Sequence, residues 1–203
     1  MIAVIDYGVG NLGSITKALE YVGASVVLTN DPGVARQAEK LVLPGVGAFG
    51  DGMKNLRERG WLSVLEEEVR QRKKPFLGVC LGMQLLAKKS YEFGEHEGLG
   101  WVNAEVRKLE VAPLKVPQVG WNTVLWTREH PLLSGVPKQS DFYFVHSYEL
   151  LPEKNGAVIG IVEYGGDIVA AVAWENVFAT QFHPEKSQKD GLKILENFMK
   201  WSC

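Results

Sequence analysis

Cysteine is nearly missing from the sequence: Cys80 and Cys203 are the only two among 203 residues. One pair cannot build a disulfide framework, so the fold must rest on buried apolar surface, and a reducing compartment fits. Long hydrophobic runs are missing too. No stretch approaches the ~20 apolar residues of a membrane span, and no basic region followed by a secretory core opens the chain, which predicts a cytoplasmic protein. Charge of one sign is not in excess either. Lys and Arg number 22 against 24 Asp and Glu, a formal net charge of −2, and the densest basic patch is only Arg70 to Lys74. That balance argues against nucleic acid or a membrane surface as the main partner. No pair of His or Cys residues has metal-ligand spacing, so neither a zinc site nor another metal centre is expected.

What is present is an ordinary globular make-up, 46% hydrophobic and 23% charged, which predicts one domain over residues 1–203. The first half alternates strand and helix. IAVIDY reads as a strand, and Leu12, Ile15, Leu19 and Val22 then recur on one helical face, with Asn11 as N-cap and Gly23 as stop. Further strands are expected over 25–29, 40–43 and 75–79, with helices over 51–73 (broken near Gly60) and 81–89. Such alternation implies a parallel sheet with right-handed crossovers. After about residue 98 the texture changes to short β-rich segments, AEVRKL, NTVLW, DFYFVHSYEL, AVIGIVEY, IVAAVAW and VFATQF, and a final helix carries Leu192, Leu195, Phe198 and Met199. The fold class is therefore α/β, a mostly parallel sheet flanked by helices with an added antiparallel region.

Glycine is plentiful, and its spacing invites a wrong turn. GVGNLG at 8–13 satisfies G-x-G-x-x-G behind a strand, but so does GVGAFG at 45–50. Two matches in a chain with 22 glycines show how cheap the pattern is. Asp6 would also set a carboxylate beside any pyrophosphate, and Asp31, next to Pro32 and Gly33, reads as a turn and N-cap residue rather than a ribose contact. Both loops are best read as tight strand-to-helix turns.

The stretch PFLGVCLGMQLL places Cys80 between Gly78 and Gly82, after a strand and before a helix. This is the G-x-S-x-G elbow with a thiol in place of the hydroxyl. The helix N-terminus favours a thiolate, and the N–H of Leu81 points toward a developing oxyanion. A base is available in QFHPEKS, where Glu185, two residues beyond His183, can orient its imidazole. An apolar cysteine is otherwise an inert core residue, so the thiol reading depends on that base. His96 and His130 read as solvated groups, and His146, in FYFVHSY, reads as a core residue or a group facing the site.

GVCLGMQ around Cys80, HPEKS at 183–187 and PGVGAFG at 44–50 together resemble the triad (class I) glutamine amidotransferases. DYGVGN near the start, PQVGWN at 117–122 and FYFVHSY at 142–148 are similar to its histidine-biosynthesis branch, the glutaminase subunits of imidazole glycerol phosphate synthase, so the likeness covers nearly the whole chain. The resemblance implies a flavodoxin-like fold and no cofactor. It implies that Cys80 attacks the side-chain amide of glutamine, that His183 moves the proton and that Glu185 orients His183. Val46 and Gly47 would join Leu81 in the oxyanion hole; Gly45, Gln84, Glu92, Ser147 and Tyr148 would bind substrate. It further implies a (β/α)8 barrel cyclase partner that receives the ammonia, contacted through Asn11, Trp121, Asn122, Tyr143 and Lys186. A cysteine peptidase or γ-glutamyl hydrolase of the same fold, a subunit serving the pyridoxal pathway and a non-catalytic interaction module are the alternatives.

Overall fold

Four short apolar segments, β1 (Ile2–Ile5), β2 (Val26–Thr29), β3 (Lys40–Gly45) and β4 (Phe76–Cys80), lie side by side as parallel strands in the computed structural model, which describes residues 1–153 and 155–202. Cys203 lies outside the described residues. β1, β3 and β4 are buried along their length, as expected of strands covered on both faces. The connecting helices are α1 (Leu12–Tyr21), α2 (Pro32–Gln37), α3 (Phe49–Glu58) and α4 (Trp61–Leu65). Asp31 caps α2 as expected, its carboxylate accepting from the Gly33 N–H at 2.7 Å. Asn11 occupies the N-cap position of α1 but makes no side-chain cap hydrogen bond.

The helix expected over 81–89 is cut short. It spans only α5 (Leu81–Gln84), and the chain re-enters as strand β5 (Ala87–Ser90). The cause is tertiary: the carbonyls of Leu85, Leu86 and Ala87 accept from the N–H groups of residues 99 to 102, so pairing overrides a helical sequence. β5 joins β6 (His96–Glu97), β7 (Val102–Lys108) and a later strand in a small second sheet. The run over 51–73 also differs, because α3 starts earlier, at Phe49, and α4 continues as a π-helical turn, Glu66–Gln71. That wider turn buries both Glu68 and Val69, and Glu68 pairs with Lys74 at 2.7 Å.

The β-rich half adds β8 (Gln118–Trp126), β9 (Gln139–His146), β10 (Tyr148–Pro152), β11 (Val158–Glu163), β12 (Asp167–Trp174) and β13 (Val177–Thr180). DFYFVHSYEL thus divides at Ser147: β9 goes to the large sheet and β10 to the small one. The nine-stranded sheet runs β2-β1-β3-β4-β13-β12-β11-β8-β9, parallel as far as β13 and antiparallel beyond. The chain then closes with α6 (Gln188–Lys200), whose Ile194, Leu195 and Phe198 are fully buried, each contributing roughly 1.5–3 kcal/mol. Among the described residues no helix is long and apolar enough to cross a membrane.

The register settles where chemistry can sit. Gly45 pairs with Cys80, and Thr180 with Val79, so the loops leaving β3, β4 and β13 emerge together at the carboxyl edge of the parallel strands. The two glycine loops meet at this edge. Gly10, at φ +112°, comes so near that a Cβ on it would lie 3.2 Å from the Gly45 Cα. No pyrophosphate fits between those two backbones.

Candidate active site

Cys80 ends β4 and heads α5 with φ 55° and ψ −107°, a conformation that L-residues rarely adopt. Holding it costs about 1–3 kcal/mol, and the surrounding packing supplies that energy. Gly82 is part of the reason, since a Cβ there would overlap the Leu43 carbonyl oxygen of β3. The elbow is pressed against the neighbouring strand, and Leu81, the first helical residue, has no intrahelical acceptor for its N–H.

His183 follows β13 and is 3% exposed. Its N–H donates to the Tyr143 carbonyl at 2.9 Å, and Ser187 clamps the turn by donating its hydroxyl to the His183 carbonyl at 2.5 Å while accepting from the Tyr143 N–H at 3.0 Å. The Nδ1–H of His183 donates to Glu185 Oε1 at 2.8 Å. The expected meeting of these two side chains is thus realised, although through a 3-10 turn over Pro184–Lys186 rather than an extended strand. Nε2 is buried without a formed hydrogen bond and has the Cys80 sulfur as its interacting neighbour. Burial alone lowers the pKa of the ring, but the Cys80 sulfur and the Glu185 carboxylate outweigh it and raise the value to about 9.

The sulfur borders a cavity of about 300 Å³, the size suited to a single amino acid. Val46, Gly47, Leu81, Gln84, Glu92 and the 145–148 segment all line it. Gln84 Nε2 donates to the Tyr148 carbonyl at 2.9 Å and to Gln181 Oε1 at 3.0 Å, so both its hydrogens are spent and its Oε1 is left as an acceptor. Glu92 accepts from the Phe49 N–H at 2.7 Å, at the start of α3. Burial raises its carboxyl above the usual range, against the Phe49 N–H that holds it down. The Ser147 carbonyl accepts from the Leu109 N–H, which leaves it a second lone pair, whereas the Tyr148 carbonyl is fully engaged by Gln84 and His146. Gly45 is fully enclosed between the Tyr7 hydroxyl and the Leu81 side chain and stands just behind the cavity wall.

The remaining histidines resolve differently from one another. His146 is a core residue that also lines the cavity; burial lowers its pKa to about 4, so its ring is neutral. Its Nδ1–H donates to the Tyr148 carbonyl at 2.9 Å, which makes Nε2 an acceptor. Gln118 Oε1 lies 2.7 Å from Nε2 while its NH2 end is buried without a partner; turning the amide end for end gives the ring nitrogen the donor it needs. His130 is not the solvated group expected: its ring packs 5.0 Å from Phe178 and 5.2 Å from Trp201, and burial lowers its pKa to about 4. His96 is half-buried in β6 against Gly50. A wider groove of about 780 Å³, bordered by Trp126, Arg128, His130 and Lys138, has no cysteine in its lining.

Trp121 is exposed on β8, with its ring edge-on to Tyr143 at 6.1 Å, and the Lys186 ammonium lies 5.9 Å from the Tyr143 ring. Asn122, one residue on, projects to the opposite face of the sheet. Gln181, Gln118 and Ser187 escaped the sequence reading. For Gln181 a signal existed, because the period of two that links His183 to Glu185 also links it to Gln181.

Comparison with known proteins agrees with this geometry. The family described as "Glutamine amidotransferase class-I" matches residues 3–201. The chain belongs to that family. Among curated relatives, the amidotransferase is 53% identical to imidazole glycerol phosphate synthase subunit HisH of Aquifex aeolicus, over 97% of this chain and 95% of the relative. It is 47% identical to the subunit of the same name from Sulfurimonas denitrificans, over 99% and 98%. Its fold is similar to a crystal structure of a glutamine amidotransferase (TM-score 0.76, 20% identity, 98% and 99% covered) and to PurLQS from Thermotoga maritima (TM-score 0.75, 20% identity, 98% and 97% covered).

Proposed function

We propose that the amidotransferase is the glutaminase subunit of an imidazole glycerol phosphate synthase, working in the cytoplasm. It hydrolyses glutamine to glutamate and ammonia and delivers the ammonia to a (β/α)8 cyclase subunit that makes imidazole glycerol phosphate and AICAR in histidine biosynthesis. The observation that carries this reading is the strained Cys80 beside a His183 held by Glu185, at the wall of an amino-acid-sized cavity. The names and full-length identity of the curated relatives support the choice of pathway.

In the mechanism, the Cys80 sulfur attacks the side-chain carbonyl carbon of glutamine. The N–H groups of Leu81 and of Val46 or Gly47 stabilise the oxyanion. His183, charged at neutral pH, gives its proton to the departing amine and leaves a thioester on Cys80. The neutral imidazole then takes a proton from water, the hydroxide displaces the sulfur, and glutamate leaves. Glu185 keeps the ring oriented through both steps. The free Oε1 of Gln84 and the Glu92 carboxylate suit the α-ammonium of the substrate, and the Ser147–Tyr148 segment lines its other end. Ammonia released into water would become ammonium and lose its nucleophilicity, so a docked acceptor is required; Asn11, Trp121, Tyr143 and Lys186 form its seat, and Asn122, on the opposite face of β8, joins it where the partner wraps the sheet edge.

The test is glutamate production with and without a barrel cyclase and its sugar-phosphate ligand, for the intact chain and Cys80→Ala. Production that rises with the cyclase and vanishes in the variant is expected. Activity persisting in Cys80→Ala removes the nucleophile, and indifference to the cyclase turns the reading toward a γ-glutamyl hydrolase.

A further inference from the structure

A chain of amides runs behind the nucleophile. Gln181 is fully buried at the end of β13, with its own N–H donating to the Ala170 carbonyl at 2.8 Å. Its side chain reaches two groups: Nε2 lies 3.7 Å from the Cys80 sulfur, and Oε1 accepts from Gln84 Nε2 at 3.0 Å. An amide can be turned end for end, so the sense of this chain has to be fixed by something that cannot. The Tyr148 carbonyl is that fixed point. It is an acceptor only, taking hydrogens from Gln84 Nε2 at 2.9 Å and His146 Nδ1 at 2.9 Å. Gln84 must therefore present its nitrogen to Tyr148, and its second hydrogen goes to Gln181. Gln181 must accept that hydrogen through its oxygen, which leaves its NH2 end, a donor, turned to the sulfur.

We propose that Gln181 is a positioning residue that holds the Cys80 sulfur as an anion, with the sense of its amide imposed by the Tyr148 carbonyl through Gln84. A protonated sulfur has another arrangement open to it, because its S–H can reach the Val145 carbonyl at 4.0 Å. The anion cannot donate and needs donors, of which Gln181 is one and His183 the other. Gln84 and Tyr148 also border the cavity, so a ligand that engages Gln84 Oε1 touches the same relay that ends on the nucleophile. The inference rests on the reading of Cys80 as the nucleophile but needs neither the identity of the substrate nor that of the partner.

The experiment is the rate of alkylation of Cys80 by iodoacetamide as a function of pH, followed by mass spectrometry in the full chain. Gln181→Met removes the donor, and Gln181→Glu keeps the shape while turning an oxygen to the sulfur. Both are expected to slow alkylation at pH 7, by about tenfold for Met and more for Glu, and to displace the profile toward higher pH. A purely structural side chain gives no such displacement. Gln84→Met, which frees the Gln181 amide to turn, should move the profile the same way, and the Gln84→Met/Gln181→Met double variant should be no slower than Gln181→Met alone. The Gln84→Met single variant alone carries the test should Gln181 variants fail to fold. Profiles that coincide with the intact chain, or effects of the two singles that simply add, overturn the proposal. Alkylation shifts in a chain that makes no glutamate beside the cyclase would uphold Gln181 and sink the glutaminase reading instead.

Discussion

His183 carries two opposed influences, and their balance predicts a titration. Burial disfavours its charged form, whereas the Cys80 sulfur and Glu185 favour it strongly enough to raise the pKa to about 9. A ring pKa raised in the folded chain contributes stability that is fully present below about pH 6.5, the unfolded value, and is lost as pH rises through about 9. The ring resonances of His183, followed by NMR, should therefore move with a midpoint close to 9. In Cys80→Ala the first of the raising influences is gone, and in Glu185→Gln the second is, so each midpoint should fall by about one unit or more. A midpoint that stays near 9 in Cys80→Ala would show that the sulfur is not the partner of Nε2. The Cys80 elbow and the His183–Glu185 pair were legible in the sequence because both are local patterns, an elbow between glycines and a His-x-Glu turn. Gln118 was not, because what makes it matter is His146 lying opposite on the neighbouring strand, 28 positions away.

The strand-to-helix elbow is an element held by its neighbours, and glycines separate the tolerant positions from the intolerant ones. Gly82 sits where a Cβ would overlap the Leu43 carbonyl, which is backbone and cannot swing aside. Gly82→Ala is expected to cost about 3 kcal/mol or more and to lower the urea midpoint sharply. Gly13, in α1, has open space where a methyl would stand, with no atom within 4 Å and no left-handed φ, so Gly13→Ala should be neutral or stabilise by about 0.5 kcal/mol. Equal midpoints for the two variants would contradict the packing account of the elbow. The sequence showed where this element begins but not where it ends. LGMQLLAKK has helical composition throughout, and only the strand partners that arrive later, at residues 96–97 and 102–106, pull Ala87–Ser90 into a sheet. The parallel half was legible for the opposite reason: buried strands that alternate with amphipathic helices announce themselves locally. β9 and β10 were not separable, since nothing between Phe142 and Leu150 signals that the chain changes sheets at Ser147.

At the scale of the whole molecule, the candidate site lies at one edge of the sheet, and the exposed aromatic surface of β8 and β9 flanks it. Val145, whose carbonyl lies 4.0 Å from the Cys80 sulfur, is register partner to Val119, and Tyr143 to Trp121. Val119 and Trp121 are 57% and 46% exposed, although large apolar side chains gain by leaving water. A tryptophan in this setting, braced by Tyr143 with Lys186 over that ring, is the type of anchor whose truncation costs about 2 kcal/mol or more in an interface. For the proposed cyclase complex, Trp121→Ala should raise the dissociation constant by about thirtyfold in calorimetric titration. The same variant should leave the iodoacetamide rate of Cys80 in the free chain unchanged, since the indole makes no contact with the elbow or the amide relay among the described interactions. Asn122 offers a built-in control: it points to the other face of β8, so Asn122→Ala tells whether the partner reaches around the sheet edge or covers the Trp121 face alone. An unchanged dissociation constant in Trp121→Ala would move the docking surface away from β8 altogether, and with it the proposed route by which ammonia leaves the cavity beside Cys80.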